Sequence, residues 1–141
     1  MTQEQKDLLL KDLCARLPYG VKVAFLNEDL THHSEPKTLI RIECINNLNY
    51  SRLEDEDGNT TIVEFVKPYL FPFSSMTEEQ KKELNDITDL DIEIAISHIK
   101  NDTPNYVTCL NRLNWLLKNH FDIYDLIPMG LANDATGLNI Y

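Results

Sequence analysis

Residues Lys67 to Leu84 read KPYLFPFSSMTEEQKKEL, and the change of texture inside this stretch decides the fold class. Up to Phe73 it is aromatic and proline-rich; from Thr77 it is charged and carries a helix start. Pro68 and Pro72 lack a backbone donor and hold the chain extended, so ladder pairing is expected to stop there. Thr77 and Gln80 stand at the capping-box spacing, in which hydroxyl and amide each satisfy a free backbone N–H of the first helical turn. The stretch therefore predicts a strand-to-helix corner, with the helix running from Thr77 to about Asp86. Tyr69, Leu70, Phe71 and Phe73 cannot all face one side of such a corner. Some should roof a sheet, and Tyr69, Phe71 and Phe73 become candidates for a docking surface.

Upstream, the pattern changes to strands. In VKVAFLN, Val21, Val23 and Phe25 alternate with Lys22, Ala24 and Leu26, as in a half-buried strand. TLIRIECIN places Ile40, Ile42 and Cys44 on one face and Arg41 and Glu43 on the other. Two further strands are expected at about Asn49 to Glu54 and Thr60 to Val66, with Asp57-Gly58 as the turn between them. Before these strands, Leu10, Leu13, Cys14 and Leu17 form a helical stripe. Thr2 and Gln5 supply a second capping box, and Pro18 and Gly20 stop the helix.

Downstream, DLDIEIAISHIK is two-sided. Ile92, Ile94 and Ile96 alternate like a strand, while Ile92, Ile96 and Ile99 fit a helix, the reading adopted here. Thr103-Pro104 is a helix start, with an apolar stripe of Tyr106, Leu110, Leu113 and Leu117 running towards His120. Trp115 falls nearly opposite that stripe. Either the tail IYDLIPMGL folds back over it, or it joins Tyr69, Phe71 and Phe73 as a partner-binding candidate.

The chain has 141 residues, of which 43% are hydrophobic, with only four glycines and six prolines. That suits a single domain, residues 1–141, with an ordinary core. The expected class is α+β, a small antiparallel sheet of about four strands packed by three or four helices. Thirteen basic residues against 23 acidic ones leave a net charge of -10, shared by both halves. Such a surface repels phosphate backbones and disfavours direct nucleic-acid binding. No apolar run reaches the length of a membrane span and MTQEQKDLLL lacks a signal-peptide core. With Cys14, Cys44 and Cys109 odd in number and widely spaced, a cytoplasmic protein with reduced core thiols is expected.

Familiar chemistries find little support in the residues. Glycines stand only at 20, 58, 130 and 137, so neither a Walker loop nor a dinucleotide-binding turn can be built. Placing Gly58 at the sixth position of a calcium loop puts Leu53 at the first ligand position, where an oxygen is required. His32, His33 and Glu35 offer a weak metal set, because adjacent imidazoles point apart. Thiol catalysis would need a cysteine beside His98 or His120. No cofactor is implied. The enzymatic alternative is a small hydrolase or nucleotide-processing enzyme using the His32/His33 loop and the acidic cluster from Asp86 to Glu93.

Two segments carry a resemblance. Lys67 to Glu79 is similar to a K-P-Y-L-x-P-x-S-S-M-T-E-E stretch, and Trp115 to Asp122, with Leu126-Ile127 and Gly130 to Ala132, to a W-L-x-x-x-H-F-D segment followed by L-I and G-L-A. Both resemble small uncharacterised proteins encoded by phages and prophages of Bacteroides-type bacteria, over about a third of this chain. DLDIEIAISHIK falls outside that pattern, and Ile123-Tyr124-Asp125 stands where the relatives are more basic. The resemblance implies a phage-related origin and action within a bacterial host, and it transfers no activity. The function expected from these readings is non-catalytic: binding a protein partner, or a second copy of itself, so as to modulate a host process.

Overall fold

The computed structural model describes residues 1–30, 34–45, 50–87 and 111–141. The expectations for DLDIEIAISHIK beyond Ile87 and for the helix start at Thr103-Pro104 lie outside the described residues. Within them the class is α+β. Helix α1 spans Gln3–Arg16, α2 Glu78–Asp86 and α3 Asn111–Lys118. The strands are β1 Lys22–Phe25, β2 Lys37–Ile45, β3 Tyr50–Asp55, β4 Thr60–Ile62, β5 Val66–Leu70 and β6 Asn133–Asp134. They form one mixed sheet in the order β4-β3-β2-β1-β5-β6, antiparallel except for the β5–β6 pair.

Among the described residues there are six strands where about four were expected, and the difference arises at Val63 to Leu70 and at β6. The stretch expected as one strand from Thr60 to Val66 is divided by a 3-10 turn at Val63–Phe65. β4 stays on β3, and β5 runs through Pro68 to pair with β1. Proline is tolerated because of its orientation. Leu70, two residues on, turns its carbonyl to Ala135 on the β6 side. Pro68 shares that orientation, so its missing N–H takes nothing from the β1 ladder. β6 has two residues and no periodic signal of its own. Both capping boxes form as expected, at Thr2/Gln5 and Thr77/Gln80.

The principal core lies between α1 and the sheet, built from Leu9, Leu13, Val21, Val23, Leu39, Leu53, Val66 and Leu70. Burial of each leucine contributes about 1.5–3 kcal/mol. The stripe of α1 is rotated from the expected one: Leu9, Asp12, Leu13 and Arg16 are buried, Leu10 and Leu17 pack at the flank, and Cys14 is exposed. A second, smaller cluster covers the opposite face of the sheet, where Ala24, Tyr69 and Ala135 meet Phe71 and Ile140. β1 is therefore enclosed on both faces.

In β2 a bulge between Leu39 and Arg41 breaks the alternation. The extra residue puts Leu39 and Ile42, three apart, on the core side and leaves Ile40 exposed. Across the outer face Arg41 pairs with Glu43 and Glu54. At the β3–β4 turn Gly58 has φ +82°, and the Asp55 carboxylate accepts from the N–H groups of Asp57 and Asn59 at 2.9 Å. The acidic tip is thus a turn device that satisfies its own backbone.

Candidate functional site

Three of the four aromatic candidates, Phe71, Phe73 and Trp115, meet around Phe121, and Tyr69 adjoins them through Phe71. Beyond the end of β5, Phe71 bridges Phe121: Phe71 N–H donates to the His120 carbonyl and Asp122 N–H to the Phe71 carbonyl, both at 2.9 Å. This sets the buried Phe121 ring between two near-parallel neighbours. Phe73 lies 5.9 Å away at 8° and Trp115 5.8 Å away at 12°. Phe71 sits tilted at 6.2 Å, and Tyr69 is buried in the second cluster. Among the described residues it is Phe121 that stacks on Trp115. The tail instead sends Leu126, Leu131, Tyr124 and Ile127 into the principal core. Phe73 stays 47% exposed, so Phe73→Ala should cost about 1 kcal/mol in denaturant titration, the value of one aromatic pair. A loss beyond about 3 kcal/mol, as for a core phenylalanine, would contradict this placement.

The neighbouring ionisable groups are engaged in holding elements together. α3 ends in a Schellman turn, with Phe121 N–H donating to the Leu116 carbonyl and His120 N–H to that of Leu117. His120 occupies the left-handed position at φ +60°, where glycine is usual. Arg16, fully buried, donates through Nε to Asp12 Oδ2 at 2.7 Å and through a guanidinium nitrogen to the Phe121 carbonyl at 2.6 Å. A cation is thereby fixed at the negative end of α3. Burial, opposed by the Arg16 hydrogen bond and charge, pushes the Asp12 carboxyl above its ordinary range. Burial, with Arg16 nearby, lowers His120 from 6.5 to about 4, so its imidazole is neutral at pH 7. The Asp122 carboxylate accepts from the N–H groups of Leu126 and Ile127 at 2.9 and 2.8 Å. Each anion therefore has a fixed structural partner.

Tyr141 completes this end of the fold. Its ring stacks on His120 at 3.8 Å, and its hydroxyl accepts from Lys22 N–H at 3.0 Å while donating to the Tyr69 carbonyl at 2.6 Å. Lys22 and Tyr69 would be the next pair of the β1–β5 ladder after Val23 and Pro68. The phenol stands where a direct ladder bond would be.

Glu35 and Asp86 are exposed on separate segments, while His32, His33, Asp89, Asp91, Glu93, His98 and Cys109 lie outside the described residues. Among the described residues no group of three His, Cys, Asp or Glu side chains is placed to hold a metal. Cys14 and Cys44, expected as core thiols, are both exposed. The α1 rotation accounts for Cys14; Cys44 shares the face of Ile42 but lies beyond the border of the core, towards the end of β2. No described helix is long and apolar enough to cross a membrane.

An apolar groove of about 360 Å³ lies at the opposite end of α1, bounded by the start of that helix, the segment after β1 and the turn before β6. Its walls include Leu26, Phe65 and Leu131, and its rim carries Met1, Leu30 and Met129, which are 49%, 54% and 38% exposed. Leu30 closes a turn, donating its N–H to the Asn27 carbonyl at 2.9 Å, with φ +59°. A leucine costs about 1–2 kcal/mol in that conformation. Glu64, engaged by Lys6, and Glu28 add acidic groups. Burial acts to raise the Glu64 carboxyl, but Lys6 and the backbone outweigh it and the net shift is downward. Sequence reasoning missed this groove because its residues come from four separated segments. The local signal was a lone leucine in NEDL and a lone methionine in IPMG. Set beside protein-family models, curated proteins and solved structures, the chain matches none of them.

Proposed function

We propose that this chain is a non-catalytic, phage- or prophage-related protein that acts in the cytoplasm of a bacterial host by binding a protein partner. The observation that carries this reading is the collection of Met1, Leu30 and Met129 around one groove. Apolar side chains converging on a concavity favour a partner's side chain over water. Methionine adapts to partners of varied shape. The strained φ of Leu30 supports the same reading, since a costly backbone conformation that holds an apolar side chain outward serves no packing purpose. The net charge of -10 favours a basic partner surface, such as the nucleic-acid-binding face of a host protein.

Capture from host lysate tests the proposal with two variants. Leu30→Asn relieves the left-handed strain, because asparagine adopts αL readily, and should leave thermal stability equal or raised by up to about 1 kcal/mol. The same change and Met129→Glu should each reduce partner capture at least tenfold. Capture unchanged by both would remove the groove from the reading. Absence of any specific partner for the folded wild-type chain, with a monomer in light scattering, would overturn the reading itself.

A further inference from the structure

Cys14 on α1 and Cys44 on β2 are exposed thiols. Cys14 is four residues from Leu10 and three from Leu17, on the flank of α1 that packs at the border of the principal core. Cys44 is two residues from Ile42, which packs on that border from β2, and alternation puts both on one face of the strand. β1 leaves the ladder at Leu39, whose N–H donates to the Val21 carbonyl, and the 3-10 turn Leu17–Tyr19 that follows α1 packs against β2. The end of α1 thus lies beside the strand that carries Cys44. Desolvation, with the charge of Cys44 acting in the same sense, raises the Cys14 thiol above its ordinary range.

We propose that Cys14 and Cys44 form a dithiol site that reacts with small-molecule disulfides and closes a covalent bond between α1 and β2. One protein thiolate attacks a sulfur of the small disulfide and expels a thiolate; the second protein thiolate then attacks the protein sulfur of the mixed disulfide and expels the other. One S–S bond breaks and one forms. The two protein thiols lose two electrons and two protons, and the small disulfide leaves as two thiols. In a reducing cytoplasm the pair stays open and closes when the thiol pool is oxidised.

The test is incubation of the folded full chain with oxidised glutathione at pH 8, alkylation, and non-reducing peptide mapping. The expected product links the Cys14 and Cys44 peptides, and forms equally in Cys109→Ser. The separation of 30 positions between the cysteines makes the bond stabilising, with Tm raised by about 10 °C and unchanged by the reagent in Cys44→Ser. A bond from either cysteine to Cys109, or mixed disulfides alone, would overturn the proposal. So would a Cys14–Cys44 bond that forms only in urea or lowers Tm, since the thiols would then not be adjacent in the native fold.

Discussion

Replacing Arg16 by methionine is expected to lower the stability of the fold by about 3–5 kcal/mol, the cost of stranding one member of a buried ion pair. The guanidinium satisfies Asp12 Oδ2 and the Phe121 carbonyl at the end of α3. Methionine fills much of the volume but has no donor, so a buried carboxylate and a helix-end carbonyl lose their partner together. Against a usual total of about 5–15 kcal/mol, that is a large share. Urea titration at pH 7 measures it. The double change Asp12→Leu with Arg16→Met should recover most of the loss, because apolar replacement of a whole buried pair is often neutral. A loss below about 1 kcal/mol for the single variant would place Arg16 among surface pairs.

Acidification should act through His120. Its folded pKa, about 4, lies below the ordinary 6.5, so the unfolded chain binds the proton first. The stability associated with neutral His120 is complete above pH 6.5, falls as the pH drops to about 4, and is constant below that. Across this window the loss should approach about 3 kcal/mol. Asp12, raised above 3.8, works in the opposite sense: its contribution is present below 3.8 and is lost as pH rises through its folded value. His120→Asn keeps a residue suited to the left-handed position and should flatten the profile between pH 6.5 and 4. Denaturant midpoints measured at half-unit pH steps would decide it. A profile equally steep in the variant would assign the dependence to other groups.

These two residues also mark where the sequence is legible and where it is not. The capping boxes, the Asp57-Gly58 turn and the alternation of Val21 and Val23 are local signals, and local physics decides them. The buried stripe of α1 is different. Hydropathy selects Leu10 and Cys14 over Asp12 and Arg16, because the pairing that makes those charges acceptable depends on a carbonyl 105 positions away. His120 in the glycine position of a Schellman turn conceals the helix end for the same reason. Its place depends on Tyr141, which no local window contains. The bulge at Leu39 and the outward orientation of Pro68 reset faces that strict alternation had assigned. The aromatic candidates were found by composition, but their convergence on Phe121 required the topology, as did a groove assembled from four segments.

The hydroxyl of Tyr141 between Lys22 and Tyr69 has a consequence for the order of assembly. Tyr141 stands 119 positions from Lys22 and 72 from Tyr69, the two residues whose rung it completes. β1 and β5 can pair through Val23 to Phe25 as soon as both have been synthesised, but the next rung waits for Tyr141. Loop-closure entropy makes such contacts slow to form. During synthesis the Lys22 amide and the Tyr69 carbonyl stay open to water after their strands have met. Docking of the segment that carries Tyr141 is therefore the step that closes this rung, and protection of the Lys22 amide from hydrogen exchange is its natural clock.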